Sequence, residues 1–187
     1  VTNNGAQGLR TGRVLDLDYT VIAYNADEGI QLESNQFSTI DNSIIWHNDN
    51  TDYEQITTTG GILNSTYSNV QGLSNFGISG SAEYVWGAGC IESNPVFTDS
   101  SGTLSANSPS VDAAAPWQHD GNMPPGLGTI VADMGVYGGP DNAIWGGDQL
   151  PDGEPVIDQI VDLPADQGGI VGIQYSASIF DYGHTGY

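Results

Sequence analysis

Apolar residues alternate with polar ones along the first half of the chain, at Leu15, Leu17 and Val21 and again at Ile40 and Ile44. Period two with β-branched enrichment predicts short strands. The pattern also repeats. Asp18-Tyr19-Thr20-Val21-Ile22 with Asn25 is matched by Asp41-Asn42-Ser43-Ile44-Ile45 with Asn48, 23 positions later, and Tyr67-Ser68-Asn69-Val70 is a looser third copy. A second echo is Gly8-Leu9, Gly29-Ile30 and Gly61-Ile62, its last interval stretched by the polar run Asp49 to Glu54. Asn or Gly closes each strand, as expected where the backbone turns through positive φ. A unit of little more than twenty residues cannot bury its own apolar face, but stacked units bury a continuous interior. The expected fold is therefore all-β, a parallel β-helix over residues 1–95; a β-sandwich with accidental internal similarity is the alternative.

From about Gly89 the periodicity is lost. Asn94-Pro95-Val96-Phe97, Ser108-Pro109-Ser110-Val111-Asp112-Ala113 and a Pro/Gly/Asp-rich stretch lead to Ala132-Asp133-Met134-Gly135-Val136-Tyr137-Gly138-Gly139-Pro140. Residues 96–145 are expected to form an irregular C-terminal cap on the helix, with Trp117 and Tyr137 as its bulky lid. Residues 146–155 read as a linker, and 156–187 as the start of a second β module. The chain opens without Met in mid-pattern, the expectation for a processed or partial chain.

Charge narrows the partners. Two basic residues, Arg10 and Arg13, stand against 23 acidic ones in 187 residues, a formal charge of −21 with no lysine. Phosphate neutralisation needs clustered Lys and Arg, so nucleic acid is excluded as a partner, and anionic lipid is repelled as well. No apolar run approaches a membrane span, so direct membrane insertion is not expected. The single cysteine, Cys90, rules out an intrachain disulfide and a cysteine-based zinc cage.

The run Asp41-Asn42-Ser43-Ile44-Ile45-Trp46-His47-Asn48, then Tyr67-Ser68-Asn69-Val70-Gln71-Gly72, Asn94-Pro95-Val96-Phe97, Ser108 to Ala113 and Asp133 to Gly139, all in this order, resembles the right-handed parallel β-helix proteins of the pectate-lyase-like superfold. More narrowly, it is similar to secreted bacterial β-helix proteins whose helix ends in an SPCIDAG…DIGAYGG segment before a surface-anchoring or sorting region, with Ser110 standing where the family often has Cys. The tail from Ile160 to Gly169 looks like the opening of an immunoglobulin- or fibronectin-like module. The resemblance implies an extracellular or cell-surface location and a carbohydrate-rich setting. It does not imply one reaction, because the superfold hosts lyases, hydrolases, adhesins and inert stalks.

Candidate chemistry falls into three groups. For catalysis, lyases of this fold use an Arg or Lys base, for which Arg10 is the weak candidate. Glycoside hydrolysis needs two carboxylates flanking a sugar bond; Asp16 and Asp18 share one strand face and Asp41 is placed to stack on Asp18. The alternative for these acids is a solvated acidic surface. For metal, Asp112, Asp120, Asn122, Asp133 and Asp141 punctuate the irregular segment with oxygen donors of the kind Ca²⁺ takes from flexible Gly-rich loops; Asx-turns and caps are the alternative use. For sugar, Trp46 and Tyr53 lie beside or in the loop that interrupts the repeat, where solenoids often carry their binding face, and Tyr24 is a further ring able to stack on a sugar. The expected function is a non-catalytic extracellular scaffold, stalk or adhesin segment that meets polysaccharide or associates with itself. The alternative is a polysaccharide lyase or glycoside hydrolase.

Overall fold

The computed structural model describes residues 1–33, 35–49, 55–72, 83–120, 127–129, 131–139, 156–162 and 171–176. Among these the chain is all-β, with no helix and therefore none long and apolar enough to cross a membrane. It divides into two units, Val1–Ile144 and Trp145–Tyr187.

Three short strands recur in each passage of the first unit. The first passage holds β1 (Leu9–Thr11), β2 (Asp16–Asp18) and β3 (Val21–Ala23); the second β4 (Ile30–Leu32), β5 (Phe37–Asp41) and β6 (Ile44–Trp46). The third holds β7 (Ile56–Thr58), β8 (Ile62–Thr66) and β9 (Asn69–Val70), followed by β10 (Glu83–Trp86). Every strand pairs in parallel with its equivalent one passage later. The result is three parallel sheets, β1-β4-β7, β2-β5-β8-β10 and β3-β6-β9. Register partners run Leu9–Ile30–Ile56, Leu17–Ile40–Ser65–Trp86 and Ile22–Ile45–Val70.

The register corrects one of the sequence echoes. Gly61-Ile62 does not continue Gly8-Leu9 and Gly29-Ile30. The third partner in the first sheet is Ile56, preceded by Gln55, whereas Ile62 opens β8 and pairs with Phe37. The reason lies in the interior. At Gly29 a Cβ would stand 2.7 Å from the side-chain nitrogen of Asn48, so only glycine lets that amide in. Asn25 Nδ2 donates to Asn48 Oδ1 at 2.8 Å, and Asn48 Nδ2 donates to Gln55 Oε1 at 2.8 Å. Gln55 thus occupies the glycine position and supplies the last amide of the chain itself.

Around these amides pack Leu15, Ile22, Ile30, Leu32, Ile40, Ile45, Ile56, Leu63 and Val70, the inward residues of all three sheets. Full burial of each such side chain contributes about 1.5–3 kcal/mol. Hydroxyls tie the corners: Ser43 Oγ accepts from Thr20 N at 3.0 Å, and Ser68 Oγ accepts from Ser43 N at 3.1 Å. Between the second and third sheets the backbone turns through positive φ at Tyr19 (44°), Asn42 (49°), Tyr67 (45°) and Gly89 (71°). Left-handed conformation costs a non-glycine residue roughly 1–2 kcal/mol. Gly89 has no choice of side chain, because a Cβ there would collide with the ring of Tyr67.

The third sheet is buried on both sides. Its outward residues Val21, Ala23, Ile44 and Trp46 lie under Leu104, Ala114, Ala132 and Met134. The described part of 96–139 therefore runs along a side of the stack. It is fastened by Asn3 Nδ2 to Ser100 O (3.3 Å), Ala115 N to Asn42 Oδ1 (2.8 Å), Gly135 N to Asn42 O (2.7 Å) and Asn69 Nδ2 to Ser110 Oγ (2.9 Å). In the second unit, β11 (Val156–Asp162) and β12 (Val171–Ser176) pair antiparallel.

Candidate functional site

The outward face of the second sheet is laid out in rows, because parallel register puts equivalent residues of successive strands side by side, about 4.8 Å apart. Phe37, Ile62 and Glu83 form one row, Asp16, Thr39, Asn64 and Val85 the next, and Asp18, Asp41 and Thr66 the third. Phe37 is 57% exposed and Ile62 38%, so the first row is an open apolar strip.

The acidic candidates all lie here, and each is tied to a neighbouring strand. Asp16 Oδ1 accepts from Thr39 Oγ1 at 2.5 Å, Asp18 Oδ1 accepts from Asn42 Nδ2 at 2.8 Å, and Asp41 Oδ1 accepts from Thr66 Oγ1. Asp18 and Asp41 are direct register partners, as the sequence spacing predicts. Arg10 belongs to the first sheet, where its guanidinium is 2.7 Å from Glu33 in a solvent-exposed ion pair. It does not join the carboxylates of the second sheet. Beside it, Gly12, Arg13, Val14, Glu33, Asn35 and Gln36 line an open cleft of about 620 Å³.

Three of the five proposed metal ligands come together in the side segment. Asp133, buried, accepts from Asp112 N (2.8 Å) on Oδ1 and from Leu127 N (2.9 Å) on Oδ2. Asp112 Oδ1 accepts both the backbone N–H (2.8 Å) and the hydroxyl (2.9 Å) of Thr129. Asp120 Oδ1 accepts from Gly139 N at 2.9 Å, and its Oδ2 is buried without a partner among the described residues. Burial, reinforced by the charges of Asp120 and Asp112 and opposed by the two N–H donors, pushes the Asp133 carboxyl up to about 6; burial also raises Asp120. These acids hold together backbone that has no strand ladder of its own. Among the described residues no group of three or more His, Cys, Asp or Glu side chains is spaced to hold a metal ion. Asn122 and Asp141 lie outside the described residues.

Of the sugar-stacking candidates, Trp46 is only 7% exposed, its ring covered by the side segment. Tyr24 is half-buried and stacks on the exposed His47 at 5.4 Å and 19°. Tyr53 lies outside the described residues. Among the described residues the exposed indole is Trp117, 68% accessible and edge-on to Tyr67 at 5.4 Å and 83°. The sequence pattern predicts a lid role for it. The signal available was local: the small buried pair Ala114-Ala115 gives way to Pro116, and the chain turns outward there, with Gln118 N donating to Ala115 O at 2.8 Å. The thiol of Cys90 is half-buried and its pKa is raised by that burial, the opposite of an activated nucleophile.

Searches against protein-family models, curated proteins and solved structures find no match to this chain.

Proposed function

We propose that the chain is part of a right-handed parallel β-helix serving as a non-catalytic scaffold or adhesin segment, extracellular or cell-surface, in contact with polysaccharide or with further copies of itself. The solenoid reading is supported by the described strands of the first unit, β1 to β10, which pair in parallel with their equivalents in the adjacent passage, and by the amide chain Asn25–Asn48–Gln55 that links passages through the interior. The non-catalytic reading rests on one observation: the four candidate side chains are each engaged by a neighbour, Asp16 by Thr39, Asp18 by Asn42, Asp41 by Thr66 and Arg10 by Glu33. Self-association has its physical basis in the edge strands β2 and β10 of the second sheet, whose outer backbone groups are the kind that pair with another chain.

The alternative, a lyase or glycoside hydrolase, is favoured by the adjacency of Asp18 and Asp41. Incubation with polygalacturonate, alginate and neutral glycans separates the two. The scaffold reading expects no new reducing or unsaturated ends; turnover abolished by Asp18→Asn overturns it. Calcium belongs to the proposal as the ion that would neutralise Asp112, Asp120 and Asp133, in a segment with neither lysine nor arginine. A thermal midpoint that falls on adding chelator supports it, and an unchanged midpoint removes it.

A further inference from the structure

We infer that the corner carrying Trp117 and Tyr67, with the acid row of the second sheet beside it, binds a neutral glycan. The inference rests on the scaffold reading in one respect, that the bound chain is held and not cleaved.

The first observation is the exposure of Trp117, 68% against 7% for Trp46 and a half-buried Trp86. The ring is also held. The turn that closes from Gln118 N to Ala115 O carries it, and Tyr67 meets it at 83°. Tyr67 is fixed in turn by its left-handed backbone and by Gly89, whose missing Cβ leaves the space its ring fills. An aromatic platform ordered before the ligand arrives spends little entropy on binding.

The second observation is what adjoins the platform. Thr66 precedes Tyr67 and donates to Asp41, which stands beside Asp18 on the next strand. In both aspartates Oδ1 accepts one hydrogen bond within the ladder, and a carboxylate has acceptor sites for several more. A pyranose offers an apolar C–H face edged with hydroxyl donors. An indole and carboxylate acceptors are the two surfaces that complement it. The row repeats at about 4.8 Å, close to the advance per residue of an extended glycan, so a chain lying along the stack meets an acceptor at successive sugars.

The third observation sets the ligand class. The acids Asp16, Asp18 and Asp41 line this face, while both arginines lie at or before the start of the second sheet, in a chain of net charge −21. A uronate or sulfated glycan brings like charge to that row and is repelled. Neutral hexoses, pentoses and N-acetylated sugars are not.

The test is ligand-observed NMR and tryptophan fluorescence on the full chain with cello-, xylo-, manno- and chito-hexaose, and with hexagalacturonate. Saturable binding to at least one neutral hexaose is expected, weakened about tenfold or more by Trp117→Ala, partly restored in Trp117→Phe, and unchanged in Trp46→Phe. An unchanged thermal midpoint in Trp117→Ala, expected from its exposure, separates lost contact from lost fold. No saturable binding to any neutral hexaose at millimolar concentration, equal or tighter binding of hexagalacturonate, or binding indifferent to Trp117→Ala overturns the inference. Cleavage of a bound hexaose overturns the scaffold reading and leaves the platform standing, provided Trp117→Ala still abolishes binding.

Discussion

The stacked strands and the segment that runs along their side solve the same problem by different means. In the stack, each strand has an equivalent one passage away, so backbone pairing, apolar packing and side-chain ladders all follow one register. The side segment has no such partner. Its backbone is joined by scattered single bonds such as Ala114 N to Ala132 O and Met134 N to Ser110 O, and several donors are met by carboxylates, Asp133 for Asp112 and Leu127, Asp112 for Thr129, Asp120 for Gly139. Ladders inside the stack are neutral and add to one another, whereas the acids of the side segment are gathered without a base and repel. The stack is therefore expected to be the robust part, and the side segment the part that responds to pH and ions.

The largest effect is expected where a ladder is cut in its middle. Asn48→Ala removes the amide that joins Asn25 to Gln55; Gln55 keeps the backbone N–H and carbonyl of residue 48, but Asn25 N and Nδ2 and the Ile22 carbonyl each lose a buried partner, a loss of about 4 kcal/mol by denaturant unfolding. A loss below about 1 kcal/mol would mean that the amide chain is incidental to stability. Next is Met134→Ala, which opens a cavity between the side segment and Ile44, at about 3 kcal/mol. Hydrogen exchange sharpens the contrast here. Amides of Ala114, Ala132 and Gly135 are expected to lose protection while those of Ile40 and Ile45 keep it; uniform loss would make the two regions one cooperative unit.

The pH response is smaller and has a definite sign. Unfolded, Asp133 ionises near its ordinary 3.8; folded, near 6. Between those values the folded state holds the extra proton, so in the presence of chelator stability rises as pH falls through 6, by on the order of 2 kcal/mol by the time pH reaches 4. Asp120 is shifted in the same direction. Asp133→Asn is expected to flatten this part of the profile, and a wild-type stability that falls over the same range contradicts the assignment. Least of all, Arg10→Ala is expected to change stability by less than about 0.5 kcal/mol, since its pair with Glu33 is open to solvent.

This division also decides what was legible in the sequence. The interval from Asp18–Asn25 to Asp41–Asn48 could be read directly, because strands in register must repeat the same inward residues and the same corner residues. The third passage was misread at Gly61-Ile62, since its glycine position had been taken by Gln55 and no local signal distinguishes an amide that ends a ladder from one in a loop. Within the side segment the acids were found by type, but not their use, because which N–H each one meets depends on contacts far along the chain. Trp46 and Trp117 show the same limit: composition finds the indoles, and only packing decides that the first is covered and the second exposed.

The central claim is the parallel register of successive passages, and backbone nuclear Overhauser contacts of Ile40 test it most directly. The structure places Ile40 between Leu17 and Ser65, with both strands running in its own direction. Contacts from Ile40 to both residues, in the pattern of parallel strands, are the expected result. Contacts in an antiparallel pattern, or to a strand of the same passage, would contradict the account and return the chain to a β-sandwich.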